Sequence, residues 1–206
     1  MPSNKKNRQH LSFKEGAVIF NEGDSPEGIF QVKRGLIKKI TQTNFRLDHL
    51  FYLCKAGEYF GHHALLSNEI HNDTAIALTA CDLIFIPKVD FLLALDNSQL
   101  LTHRLLKSLG HEFNVFITYS KILAKHTVRE RVAIFTLVLN EKFKTNTSEP
   151  SGIHFSRDDF ASIVGTTKES VVRMLHDFKE EGLITVEGRS IYVKDAVGLL
   201  KITNLY

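Results

Sequence analysis

A chain of 206 residues, 43% hydrophobic and 24% charged, has material for two modest domains, each able to bury a core. Its net charge of +3 permits contact with nucleic acid without arguing for it, so pattern must decide. No apolar run nears the roughly 18–20 residues that span a bilayer, the polar start MPSNKKNRQHLSF lacks a signal-peptide core, and Cys54 and Cys81 make neither a disulfide framework nor a metal-ligand set, so a cytoplasmic protein is expected.

Residues 1–10 are polar and expected to be loose. From Leu11 to about Pro87, short β-branched and aromatic runs alternate with glycine turns. Val18-Ile19-Phe20 precedes Asn21-Glu22-Gly23-Asp24, Ile29–Val32 precedes Lys33-Arg34-Gly35, and Leu36–Ile40 follows. His49–Leu53 leads to the turn Lys55-Ala56-Gly57, and Ala75–Leu78 and Asp82–Ile86 complete the set. Short strands at this spacing predict a β-sandwich or jelly roll. His62, His63 and His71 read as loop histidines, whose imidazoles are chemically able to ligate a metal but whose spacing fits no standard metal motif.

From Asp96 to about Lys125 the period becomes helical. Leu105, Leu109, Phe113, Phe116, Ser120 and Leu123 recur at spacings of three and four, a stripe that can pair with its own copy as a two-stranded coiled coil. Leu101, Leu106 and Ile117 add a second apolar face, suited to packing on the helix's own domain. His126-Thr127-Val128-Arg129 reads as a hinge, with Thr127 capping a helix from Val128 to about Lys142 that buries Val132, Phe135 and Leu139. KTNTSEPSG, 144–152, is a polar loop.

Ser156 with Asp159 three residues on starts a short helix whose buried face is Phe160, Ile163 and Val164. Ala161 and Gly165 are small where a second helix must approach closely. Thr167 then caps a helix from Lys168 to about Glu181, which Gly182 ends. Val171, Met174, Leu175 and Phe178 fall on one face, Glu169, Arg173 and His176 on the other. Two short helices joined by a glycine turn read as a helix-turn-helix, the alternative being a surface αα-hairpin whose charges are only solvated. Arg173 can donate a bidentate pair to guanine, Glu169 can accept from cytosine, and Lys168 lies where phosphates run. Leu183–Val186, the turn Glu187-Gly188-Arg189-Ser190, and Ile191–Val193 add a hairpin wing. The tail KDAVGLLKITNLY carries an apolar cluster suited to packing back, with no function assigned.

The run Gly165-Thr166-Thr167-Lys168-Glu169-Ser170-Val171-Val172-Arg173, followed by Gly182-Leu183-Ile184 and a wing, resembles the recognition-helix signature of the Crp/Fnr family of bacterial transcription regulators. Lys168 stands where that family usually has Arg, and Val172 where Fnr-like members often have Ser. The β half resembles the family's cyclic-nucleotide-binding-type sensor through Phe20-x-Glu22-Gly23-Asp24, Gly28-Ile29-Phe30-x-Val32-x-x-Gly35 and Gly57-Glu58-Tyr59-Phe60-Gly61. The resemblance covers about residues 11–195.

It implies an α+β chain. Residues 1–125 would form an N-terminal β jelly roll (double-stranded β-helix) with a dimerisation helix at about 97–125. Residues 126–206 would form a C-terminal winged helix-turn-helix. Its implied DNA-binding residues are Thr167, Lys168, Glu169, Ser170, Val172, Arg173, His176 and Arg189, with Lys168, Ser170 and Arg189 toward phosphate or the groove edge. The implied dimer helix uses Leu105, Leu109, Phe113, Phe116 and Leu123, and the implied effector pocket Glu58, Gly61, His62, His63, Asp73 and Thr74. Partners would be a palindromic DNA operator, a second copy, RNA polymerase and a small effector, with no membrane.

Cyclic-nucleotide binders carry Gly-Glu for the ribose and Arg-Ser or Arg-Thr for the phosphate. Here Gly61-His62 and Asp73-Thr74 occupy those places, and an acid facing a phosphate is repulsive. Cyclic AMP is therefore not the expected effector. Two distant cysteines do not supply the roughly four ligands of an iron–sulfur cluster. His63 lies near the position from which haem-binding members ligate iron. Two rivals stay open: a metal-dependent, cupin-like jelly-roll enzyme using His62, His63 and His71, and an effector-independent regulator with a degenerate pocket.

Overall fold

The computed structural model describes residues 8–41, 49–144 and 152–204. Most of the polar N-terminal segment, most of the KTNTSEPSG loop and the last two tail residues lie outside them. The chain divides into two compact units between Glu112 and Phe113.

The first unit runs β1 (Gln9–Phe13), β2 (Val18–Phe20), β3 (Gly28–Arg34), β4 (Ile37–Thr41), β5 (His49–Cys54), β6 (Tyr59–Phe60), α1 (His62–Ser67), β7 (Thr74–Ala77), β8 (Cys81–Pro87) and α2 (Lys88–Asp96). It also takes in the first half of α3 (Gln99–Lys125). The strands form two antiparallel sheets, β1-β8-β3-β6 and β2-β7-β4-β5. Apart from β4 and β5, which pair with each other, successive strands cross between sheets, as expected of a jelly roll. The inward faces contribute Phe20, Val32, Ile37, Cys54, Phe60, Ala75, Ala77, Cys81 and Leu83 to one apolar cluster. Gly35, at the turn from β3 to β4, has φ of 90°, and a Cβ there would stand 2.5 Å from the Ala80 carbonyl oxygen. Only glycine fits that corner.

The strand expectations hold, but the segment around His62 and His63 is not a loop. Gly61, in the left-handed region at φ 84°, turns the chain into the six-residue α1, and Asn68 ends it at φ 58°. Six residues are too few for a helical period to show in sequence. The same holds for α2, where Phe91 alone is buried.

The periodic stripe belongs to one 27-residue helix, α3. Leu105, half-buried, packs on a cluster of Ile29, Leu65, Ile84, Ile86 and Phe91 from its own β-domain. Leu109 and Leu123 are half-buried. Leu106, Phe113 and Phe116 are 61%, 64% and 57% exposed, which shifts the start of the uncovered apolar face by one residue.

In the second unit, α4 (Val128–Phe143), β9 (Ile153–His154), α5 (Arg157–Val164), α6 (Lys168–Glu180), β10 (Ile184–Glu187), β11 (Ser190–Val193) and α7 (Ala196–Ile202) follow the end of α3. A full capping box starts α4: the Thr127 hydroxyl accepts from the Glu130 amide, and the Glu130 carboxylate accepts from the Thr127 amide at 2.7 Å. Val132, Phe135 and Leu139 are buried as expected. The tail packs back through α7, whose Leu199 is fully buried, against α4. The wing is a three-stranded sheet, β10-β11-β9, because Ile153 and His154 pair with Ile191 and Ser190.

Candidate DNA interface and sensor site

The helix-turn-helix forms where the caps place it. Ser156 accepts from the Asp159 amide at 3.0 Å to start α5, and Gly165, at φ 68° and ψ 49°, ends it. A Cβ on Gly165 would stand 3.0 Å from Leu123 Cδ2, so the turn is both left-handed and crowded. Thr167 accepts from the Ser170 amide to start α6. Val171, Leu175 and Phe178 bury one face of α6, and Met174 is half-buried. Arg129, from α4, makes two 2.7 Å hydrogen bonds to Glu181 and lies 4.9 Å from the Phe178 ring centroid, fixing the far end of α6. The Tyr119 hydroxyl, from α3, donates to the Ile163 carbonyl at 2.9 Å.

The opposite face is exposed. Thr167, Lys168, Glu169, Val172, Arg173 and His176 all reach solvent, and Arg189 sits at the wing tip beside Gly188. Ser170 is half-buried and drawn into the cap, its hydroxyl accepting from Thr167 at 3.1 Å. Lys168 is paired with Asp158 at 2.9 Å, so a phosphate there would have to compete with a carboxylate. Among the described residues, no ion pair or hydrogen bond holds the Glu169 or Arg173 side chain. Both can swing toward a base edge without breaking a contact.

The expected effector pocket breaks into two polar constellations. Asp73 faces Lys39 of β4 at 3.1 Å, both side chains nearly inaccessible. Lys39 pairs in register with Ala75, which puts Asp73, two residues before it, on the same face as a diagonal neighbour. The compensating cation comes from a strand that proximity along the chain could not reveal. Thr74 accepts from the Glu22 amide, 52 residues away, at 2.9 Å, and Glu58 accepts from the nearby Lys55 amide at 3.3 Å.

The second constellation is His62, His63 and Glu112. His62 Nε2 stands 3.4 Å from one carboxylate oxygen of Glu112, and His63 Nε2 3.0 Å from the other. Burial lowers the His62 pKa, and contact with Glu112 only partly offsets it. Burial also works to raise the Glu112 carboxyl, but the two facing imidazoles outweigh it and hold it below the usual carboxylate range. These three donors lie within 4.8 Å of one another.

His71 is not part of that group. Its ring stacks on Phe20 with centroids 3.8 Å apart, so the three histidines do not form one ligand set. Glu112 lies 49 residues beyond His63, and no motif spacing signals such a partner. The donor that would ligate haem from His63 already faces a carboxylate. Cys54 and Cys81 are buried and form no disulfide, and Cys81 Sγ donates to the Leu36 carbonyl at 3.2 Å. No helix among the described residues is long and apolar enough to cross a membrane.

Comparison with known proteins places these elements. A cyclic nucleotide-binding domain model matches residues 10–98, and a Crp-like helix-turn-helix domain model matches residues 130–202. The chain is 25% identical over 190 residues to the transcriptional activator protein FnrA of Stutzerimonas stutzeri, covering 90% of this chain and 77% of that one. It is 24% identical over 194 residues to the cyclic AMP receptor protein of Thermus thermophilus, covering 94% and 88%. The structure of FixK2 from Bradyrhizobium japonicum superposes with a TM-score of 0.85 at 20% identity, over 97% of this chain and 98% of that one. These relatives are regulators, which leaves the jelly-roll enzyme reading without support. With a cyclic-nucleotide-binding-type domain and a Crp-like helix-turn-helix in one chain, the protein belongs to the Crp/Fnr family of transcription regulators.

Proposed function

We propose that this regulator acts in the cytoplasm as a homodimer, reads a palindromic operator through α6, contacts RNA polymerase, and answers to an effector other than cyclic AMP. The observation that carries the reading is the exposed Glu169 and Arg173 pair on a helix capped and clamped from behind. Arg173 suits guanine and Glu169 suits cytosine, while Thr167, Lys168, Ser170, Val172, His176 and Arg189 surround them toward backbone and groove edge. The exposed Leu106, Phe113 and Phe116 on α3 supply an apolar face for a second copy. Two-fold pairing would set two recognition helices about one DNA turn apart. A buried carboxylate at Asp73, already neutralised by Lys39, argues against a cyclic phosphate at that position. His63 facing Glu112 and the two separated, buried cysteines likewise favour a regulator working without haem or an iron–sulfur cluster.

The test is fluorescence anisotropy with a palindromic family-like operator and a scrambled duplex at two salt concentrations, with and without cyclic AMP. Preference for the operator, unchanged by the nucleotide, is expected. Preference that appears only with cyclic AMP would overturn the reading of Asp73.

A further inference from the structure

His62 is the least explained side chain in the sensor unit. Only 2% of it is exposed, and neither ring nitrogen has a hydrogen-bond partner. Burying an imidazole without a partner costs free energy, on the order of 1–3 kcal/mol, unless something else occupies its lone pair. The nitrogen Nε2 is nevertheless directed at Glu112, 3.4 Å away and not aligned as a hydrogen bond. His63, the next residue, approaches the other oxygen of the same carboxylate at 3.0 Å. Two imidazoles and a carboxylate thus converge from α1 and α3, with His63 half-exposed and open to solvent.

We propose that His62 Nε2, His63 Nε2 and the Glu112 carboxylate bind one divalent transition-metal ion, and that this ion is the effector of the sensor unit. The donor spacing fits. Around a tetrahedral ion with ligand bonds of about 2.0–2.2 Å, neighbouring donors stand about 3.3–3.6 Å apart. The two histidine–carboxylate separations, 3.4 and 3.0 Å to the two oxygens of Glu112, lie within and just below that range, and the full donor set, within 4.8 Å, closes on an ion by side-chain rotation. Two imidazoles and one carboxylate form a borderline donor set suited to Zn²⁺, Fe²⁺ or Co²⁺ and poorly suited to Ca²⁺ or Mg²⁺. A fourth position on the His63 side remains for water. An ion there gives the orphaned nitrogen of His62 its partner and cross-links α1 to α3, the helix proposed to pair with a second copy. The regulatory half of this inference rests on the DNA-binding reading above; the site itself does not.

The experiment uses the full chain, stripped with chelator and titrated with Zn²⁺ by calorimetry, with Co²⁺ absorption reporting imidazole ligation. One ion per chain is expected, weakened about 100-fold or more in His63→Ala and in Glu112→Gln. The exposed His103→Ala should bind like the parent. Both altered side chains reach the surface, so these variants should fold, and circular dichroism checks that they do. Equal Zn²⁺ affinity in all four proteins, or no binding above a buffer blank, would overturn the site. Operator affinity is then measured with and without Zn²⁺. A Zn²⁺-dependent change in the parent that vanishes in His63→Ala is expected. Operator binding indifferent to Zn²⁺ in a protein that binds the ion would overturn its role as effector. A protein that takes up Zn²⁺ through these residues yet binds no duplex specifically would contradict the DNA-binding reading and leave the metal site standing.

Discussion

Asp73→Asn isolates the electrostatic argument about the pocket. The Asp73 and Lys39 side chains are 5% and 6% exposed, so the amide would leave an ammonium buried without its counter-charge. Breaking a buried ion pair from one side costs about 3–5 kcal/mol. Lys39 also lies 5.2 Å from the Phe51 ring centroid, a contact of roughly 0.5–2 kcal/mol that survives the substitution and draws the expectation toward the lower end. A loss of about 3 kcal/mol is roughly a 150-fold increase in opening of β4 and β7. Native-state hydrogen exchange of the Ile37–Thr41 amides reads this locally, which matters because a chain of two units need not unfold in one step. Combining Lys39→Met with Asp73→Leu should recover most of the loss, since an apolar pair removes both charges. If Asp73→Asn changes exchange by less than the equivalent of about 1 kcal/mol, the pair is not what occupies this part of the pocket.

The recognition face and its supports give further expectations. Arg173→Ala should cost roughly 1–3 kcal/mol on a specific operator and relax specificity at one base pair, read by competition against single-substituted duplexes. Lys168→Ala should instead weaken all duplexes alike and flatten the salt dependence, with little loss of sequence preference. Tyr119→Phe leaves the buried Ile163 carbonyl without its 2.9 Å donor and should destabilise the second unit by about 1–2 kcal/mol in urea unfolding. Thr127→Ala removes the α4 cap at a cost of about 1 kcal/mol. The same cap holds Glu130 below the ordinary carboxylate range, first through the Thr127 amide. A depressed carboxylate stabilises the fold above its unfolded pKa and loses that contribution as pH falls through its folded value. The parent should therefore lose this contribution in acid, and thermal melts of Glu130→Gln, which removes the titrating group, should show a shallower pH dependence across that range.

The DNA-binding half was largely legible because its information is local. Ser156, Gly165, Thr167, Gly182 and Gly188 each perform the cap or turn that their residue type suggests. The buried face of α6 follows from spacing alone, with Met174 only half-buried. The jelly-roll strands were legible for the same reason, whereas α1 was too short to show a period and β9 is only two residues long. The sensor chemistry was not legible, because its partners are distant in sequence. Lys39 meets Asp73 through the register of β4 with β7, and Glu112 meets His62 and His63 from a separate helix. The helix α3 has two apolar faces, and sequence alone does not announce which of them its own domain covers, as it covers Leu105 here.

The central claim, that α6 reads a two-fold operator, is tested most directly by selecting the full chain against a random duplex pool, in parallel with Arg173→Ala. The account predicts an inverted repeat with half-sites about one helical turn apart, about 10–10.5 base pairs, whose enrichment at one guanine position disappears in the variant. An unchanged consensus in Arg173→Ala, or no enriched sequence from the parent with or without Zn²⁺, would contradict it.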